Sequence, residues 1–353
     1  MKYFLRSFRQ GLPMLAFALA VAISWHFGLV SPESASMVGL LGVTMNAAGA
    51  RVIDPILSTV ARGYQNAEFI GMQLFPYVPV GQRGGKIITF GKEDFALYNT
   101  ARAPGANTKR IQYGYSGDPY ALESHSLEGL VPFEFMQEAA AVPGIDLARG
   151  GITKVQNIIA LRLEYAQAQL ATSAGNYPVG NKVTLAGTSQ WSDFSGVSDP
   201  VTDIETAKES VRAKIGKRPN TVAMGAAVWA KLRNHPKIID RIKYTGRDSA
   251  TPEMVAALFG VKRLLVGDAI YDNGGTFADV WGKAVVVGYT ELGSLAELGV
   301  PSFGYTYRLN GYPLVEQPYE DRNAKSWIYP VTDEVSPVIA GNTAGYLISG
   351  AVA

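Results

Sequence analysis

No cysteine occurs among the 353 residues. Disulfide frameworks, thiolate chemistry and zinc sites built on cysteine are therefore excluded. Histidine is nearly as scarce: His26, His125 and His235 stand far apart and form no spaced ligand pair. A phosphate-binding glycine loop is missing, because Gly81-Gln82-Arg83-Gly84-Gly85 lacks the Lys-Ser/Thr ending and the helix that must follow it. No Gly-x-Ser-x-Gly elbow is present. A Ser-His-Asp triad assembles in space and not in sequence order, but only two histidines are placed to serve one. His125, in Glu123-Ser124-His125-Ser126, reads as a turn or strand-end hydrogen-bonding residue, and His235, before Pro236, as a helix terminator. Net charge is only +2, so no global field argues for nucleic-acid binding. No cofactor or metal site is expected, and no enzymatic role.

What is present is a globular balance. Apolar residues make up 47% and charged residues 18%, enough for one large domain or two ordinary ones with a generous core. The 38 glycines and 18 tyrosines suit a sheet-rich chain with long loops.

The first residues pose a separate question. Lys2, Arg6 and Arg9 precede a segment from Gln10 to Pro32 without Lys, Arg, Asp or Glu, centred on Leu15–Ile23. Three readings compete. One is a membrane or secretory segment, with Ser34, Ala35 and Ser36 as its small-residue end. The second is an arm packed on neighbours. The third is a natural start further on, at Met37 or Met45. The remainder of the chain argues against the membrane reading.

Beyond this, Val52–Val80 reads as an extended arm with a short helical stretch near Ser58–Tyr64. Pro76 and Pro79 bar its end from the middle of a sheet. Residues 81–131 read as a hairpin-like excursion, with strand candidates at Lys86–Phe90 and Ile111–Tyr115 and a tip at Ala103–Asn107. Between Val80 and Gly117 it carries Arg83, Lys86, Lys92, Arg102, Lys109 and Arg110 against Glu93 and Asp94. Residues 146–173 form the best helix, capped by Asp146 and ended by Gly175-Asn176. Val155, Ile158, Ile159, Leu163, Ala166 and Leu170 give its apolar stripe, with Glu164, Gln167 and Gln169 as polar positions. At 1.5 Å per residue it would be roughly 40 Å long. After a polar loop over 176–200, the chain alternates. Helices are expected at Thr202–Ile215, Ala226–Leu232 and Pro252–Phe259, the last capped by Thr251, and strands at Asn220–Met224, Arg263–Val266 and Lys283–Val287. Strands at Phe303–Leu309, Pro313–Glu316 and Gly345–Ile348 close the chain.

The order of these parts resembles the Hong Kong-type fold of tailed-phage major capsid proteins. The phrases that carry the resemblance are Pro219–Gly225 into Val228–Leu232, Thr251–Val261 into Val266–Ala269, Trp281–Val287, and Pro301–Tyr307 followed by Glu320-Asp321-Arg322. It implies an α+β fold with an N-arm at 47–80 and an extended β-hairpin loop at 81–131. It further implies a peripheral domain at 132–200 with its spine helix at 146–173, an axial α/β domain at 201–300 and a closing β segment of the peripheral domain at 301–353. Residues 1–46 have no typical counterpart. The function implied is a coat protein assembling with copies of itself, as hexamers and pentamers, into an icosahedral shell around phage double-stranded DNA held without sequence specificity. Scaffold, portal and decoration proteins are the implied further partners, and the virion, built in the host cytoplasm, the implied location. Phe75, Tyr77, Arg83, Lys86, Lys92, Arg102, Lys109, Arg110, Glu320, Asp321 and Arg322 are the expected intersubunit contacts. The alternatives are a cellular nanocompartment shell of the same fold and a membrane-anchored or secreted surface protein.

Overall fold

The computed structural model describes residues 69–86, 97, 100–102, 107–108, 119–140, 146–242, 250–291 and 302–353. The apolar segment 10–32, the stretch near 58–64, and the strand candidates 87–90 and 111–115 lie outside them. Among the described residues no helix is long and apolar enough to cross a membrane.

In chain order the elements are α1 (Gly71–Leu74), β1 (Tyr77–Val80), β2 (Gly84–Lys86), β3 (Pro119–Ala121), β4 (Glu123–Pro132), α2 (Phe133–Ala140) and α3 (Leu147–Thr172). Then come β5 (Lys182–Thr184), α4 (Pro200–Ile215), β6 (Thr221–Gly225), α5 (Ala226–Leu232), α6 (Pro236–Ile242), α7 (Pro252–Phe259), β7 (Arg263–Gly267), β8 (Ile270–Asp272), β9 (Phe277–Asp279) and β10 (Val285–Gly288). The chain closes with β11 (Gly304–Leu309), β12 (Leu314–Val315), β13 (Tyr319–Asp321), β14 (Ser326–Ile339) and β15 (Gly345–Ser349).

Local chemistry sets the helix bounds. Asp146 accepts from the Arg149 amide at 3.0 Å and starts α3. Asp199 and Thr251 do the same for α4 and α7, each followed by a proline at the first turn, where no amide is needed. Gly216 and Gly260, at φ 70° and 62°, end those two helices in the left-handed region that glycine enters without strain. Lys208, only 3% exposed, donates to the Phe259 carbonyl at the end of α7 and to Glu205 at 2.7 Å, so its charge is buried against two acceptors.

Two sheets share the work of burial. The first runs β5-β15-β10-β6-β7, with β6 and β10 buried at every residue. Its helices bring Ile204, Val211, Leu232, Val255 and Phe259 onto it. The expected closing segment is therefore divided: residues 304–339 build the second sheet, but β15 returns to the first, between β5 and β10. Four of the five β15 residues are buried, a pattern that needs cover on both faces. The expected loop at 176–200 likewise contains β5 and the buried Trp191, whose indole donates to Asp203 at 2.8 Å.

The second sheet is organised by β14. Residues 326–335 pair antiparallel with all of β4, while the other edge takes β13, β12 and β11 in turn. β1 lies parallel outside β11, so Pro79 sits on an edge strand as expected. Helix α3 packs on this sheet through Ile152 and Val155 against Val131, Tyr329 and Val331. A Cβ on Gly129 would stand 3.1 Å from the Gly151 carbonyl, so this strand and helix meet backbone to backbone.

The buried side of α3 differs from the expected stripe. Ile158 is 47% exposed, whereas Gln156, Glu164 and Gln167 are buried. For Glu164 and Gln167 the cause is a set of polar partners invisible to apolar periodicity. Glu164 accepts from the amides of Ile70 and Gly71 at 3.1 and 2.8 Å and from the Trp281 indole at 2.6 Å. Gln167 donates to Thr306 at 2.8 Å.

Candidate assembly surfaces

The excursion is rooted on the second sheet. β2 and β3 pair antiparallel, with Lys86 opposite Pro119, so the chain leaves and returns at one place. Below this root lie Asp333 and Glu334, 3% exposed each, on β14. Arg83 grips Glu334 with two bonds of 2.6 and 2.8 Å, which raises its pKa well above the ordinary guanidinium value. Arg308 pairs with Asp333 at 3.0 Å. Burial nonetheless pushes the Asp333 carboxyl up, against the downward pull of Arg308 and His125. Tyr120 stacks on Tyr307 at 4.4 Å, and burial, with Tyr305 and Tyr120 nearby, lifts the Tyr307 phenol to about 12.

The expected contact residues divide accordingly. Phe75 is a correction: its ring is wholly buried in the chain's own core, 5.5 Å from Phe303, and offers nothing to a neighbour. Arg83 is held by its own Glu334, and the Asp321 carboxylate accepts from the Asn323 and Ala324 amides of its own turn. Tyr77 is 41% exposed with the Arg308 guanidinium 5.4 Å above its ring. Lys86, Arg102, Glu320 and Arg322 are exposed. Lys92, Lys109 and Arg110 lie outside the described residues. His125 sits within β4 opposite Asp333, not at a turn.

Sequence reasoning missed the exposed apolar residues at the far end of this sheet. Leu130 is 54% exposed beside Ile328, whose other neighbour is Tyr319, 47% exposed. Trp327 and Phe135 are 37% and 57% exposed, with Trp327 edge-on to Phe133 at 6.2 Å. Of these only Leu130 falls within the expected excursion at 81–131, and the sequence of β4, Glu123–Pro132, shows no apolar alternation that would mark it. Leu130 and Tyr319 thus lie on one face of the sheet and Trp327 on the other, and apolar exposure gathered at one end of a sheet is unusual on a chain that works alone.

His235 takes no part in a triad. Its Nδ1 accepts from the Lys237 amide at 3.2 Å, so Nε2 carries the proton and donates to Ser198 at 2.8 Å, and that hydroxyl in turn donates to the Asp193 carbonyl. Burial, followed by Lys237, lowers the His235 pKa, with Asp199 opposing. The unfolded imidazole takes up a proton near 6.5, the folded one only at lower pH. Stability is thus expected to be level above that value and to fall as pH drops through it. Urea midpoints between pH 8 and pH 5.5 check this; His235→Gln, which keeps a donor toward Ser198, should show a shallower loss.

A long helix laid on a sheet built around one strand, a separate α/β sheet, and an excursion rooted on the first of these sheets define the class: a shell-forming α+β subunit of the Hong Kong capsid type. The comparisons agree. The family model described as Phage major capsid protein E matches residues 153–289, from α3 to the end of β10. The Major capsid protein of Burkholderia phage BcepMu is 39% identical over 305 residues, 85% of this chain and 97% of that protein. The Major capsid protein of Pseudomonas phage JBD67 is 30% identical over 220 residues, 62% of this chain and 67% of that one. A crystal structure of a phage-related protein from Bordetella bronchiseptica RB50 aligns at 49% identity with a TM-score of 0.73, covering 86% of this chain and 98% of that one. The capsid of Cyanophage P-SCSP1u shares the fold at 12% identity, with a TM-score of 0.52 over 81% and 89% of the two chains. The chain belongs to the major capsid proteins of tailed phages, and it is a structural coat protein of the virion.

Proposed function

We propose that many copies of this chain close as hexamers and pentamers into an icosahedral shell around phage double-stranded DNA. In this reading the sheet bearing α3 is the peripheral domain and the five-stranded sheet the axial domain. The excursion and the arm lie over neighbouring copies, assembly takes place in the host cytoplasm, and the chain has no catalytic role. Scaffold, portal and decoration proteins would be further partners. The observation that carries the reading is the half-exposed apolar residues at the end of the second sheet away from the excursion, Leu130 and Tyr319 on one face and Trp327 on the other, with Phe135 on α2. Apolar area of this kind is covered when copies meet. Each contact is modest, but every subunit makes several, so closure gains by multivalency.

Electron microscopy of the protein expressed alone tests this. Closed shells or capsomer rings are expected, and a monodisperse monomer would overturn the reading. A second arm isolates the excursion. Because Lys86 and Pro119 are opposed, replacing residues 87–118 by Asn-Gly closes β2 and β3 as a tight hairpin. That variant should stay folded and soluble while shell yield falls at least tenfold; undiminished shells would show that the excursion is dispensable.

A further inference from the structure

We infer that the β8–β9 hairpin of one copy seats on the exposed face of α3 in a second copy, and the reverse, about a two-fold axis. This rests on the shell reading and names one contact within it. Register places Ile270 opposite Asp279 and Asp272 opposite Phe277, so these four residues share the outer face of the hairpin. Ile270 is 50% and Phe277 79% exposed. The inner face carries Tyr271, whose ring meets Tyr165 of α3 edge-on at 4.9 Å. The hairpin therefore stands against one face of α3 at Tyr165.

The N-terminal half of that face is left open. Lys154, Ile158, Arg162 and Tyr165 follow at steps of four, four and three residues and so lie in one row. Ile158 is 47% exposed, and Lys154 and Arg162 are exposed on either side of it. The surface is thus a step, with a raised hairpin beside a lower helix face. Two such steps fit each other when one is turned by a two-fold rotation, the condition for an isologous contact.

Charge points to the same partner. Residues 268–279 hold Asp268, Asp272 and Asp279 and no Lys, Arg or His. Helix α3 holds Arg149, Lys154 and Arg162 as exposed cations, and its one acid, Glu164, is buried. Each surface has an apolar centre flanked by charges opposite to those of the other, which favours this pairing and disfavours like against like. The hairpin tip is preformed: Asn273 donates to the Thr276 carbonyl at 2.8 Å and Gly275 to the Asp272 carboxylate at 2.7 Å, so little ordering remains for binding.

The lack of native cysteine makes the test clean. One chain carries Ile158→Cys, another Phe277→Cys, and the two are co-expressed and oxidised. A disulfide-linked dimer holding one of each is expected, absent when either chain is made alone. The double variant Ile158→Cys/Phe277→Cys should stop at dimers; a ladder of larger species would overturn the two-fold arrangement. In parallel, Lys154→Asp should cut shell yield at least tenfold and Asp279→Lys in the same chain restore it. Closed shells from the unmodified chain with no cross-link would overturn this contact alone, including where Lys154→Asp instead lowers only the nucleic acid held within. No shells from the unmodified chain would remove the assembly reading, and the contact would then stand or fall on the cross-link.

Discussion

Replacing Glu164 by alanine is expected to cost about 3–5 kcal/mol of folding free energy, because the Ile70 and Gly71 amides and the Trp281 indole then lose their acceptor inside the protein. The carboxylate is 1% exposed and joins α1, α3 and the segment before β10, three elements remote in sequence. Glu164→Gln keeps an acceptor for one side of this set and should lose less. The pH dependence separates charge from shape. Burial raises the Glu164 carboxyl pKa, while its three donors pull it back down. The unfolded chain ionises first as pH rises, so Glu164 contributes most below the ordinary carboxylate range, and part of that is lost as pH climbs through the raised folded value. Urea denaturation of wild type and Glu164→Gln from pH 4 upward should show their difference largest at the acid end. A difference that does not change with pH would mean that the group carries the same charge folded and unfolded.

The same residue shows where sequence reading stops. Helical spacing and Asp146 were enough to place α3 to within a residue of its ends. They could not say which side of the helix is buried, because Glu164 and Gln167 face inward on the strength of donors contributed from residues 70, 71, 281 and 306. Strand β14 was missed for a related reason. Pro330, Pro337, Asp333 and Glu334 all argue against a buried strand when taken by themselves. Each is accommodated by its place in the sheet. The Pro330 carbonyl accepts from the Glu316 amide, so its missing N–H faces the same edge, in the gap between β13, which ends opposite Ile328, and β12, which begins opposite Val331. Pro337 is opposite Thr306, whose amide is turned away to Pro76, so no ladder bond is lost there, and β4 stops before it on the other side. The two acids are met by Arg308 and Arg83, from β11 and from the chain just ahead of β2. By contrast β6, β7 and β10, short apolar runs between capped helices, were legible because their burial needs no distant polar partner. Of the expected contact residues, the basic balance of the excursion is visible in the sequence, but not that Arg83 is held by Glu334 of its own chain.

Phe75→Ala and Tyr77→Ala should separate folding from assembly. Phe75 fills a site between Phe303 and Gly304, where a Cβ on the glycine would come within 2.4 Å of its ring, and Phe303 stacks on Tyr177 at 5.7 Å. Removing a fully buried ring from such a cluster costs about 3–5 kcal/mol. The unfolding midpoint of the unassembled subunit should fall accordingly, and any loss of shells would follow from that. Tyr77, 41% exposed beneath Arg308, should cost less than about 1 kcal/mol in the same measurement. If it lies at an intersubunit contact, its replacement lowers shell yield with the subunit midpoint unchanged. An extended chain turns successive side chains to opposite faces. Phe75 and Tyr77 escape that rule because α1 ends at Leu74 and Phe75 caps it, its amide bonded back to the Gly71 carbonyl before β1 begins. A helix end inserted two residues ahead of a strand is what sends one aromatic into the core and leaves the other on the rim.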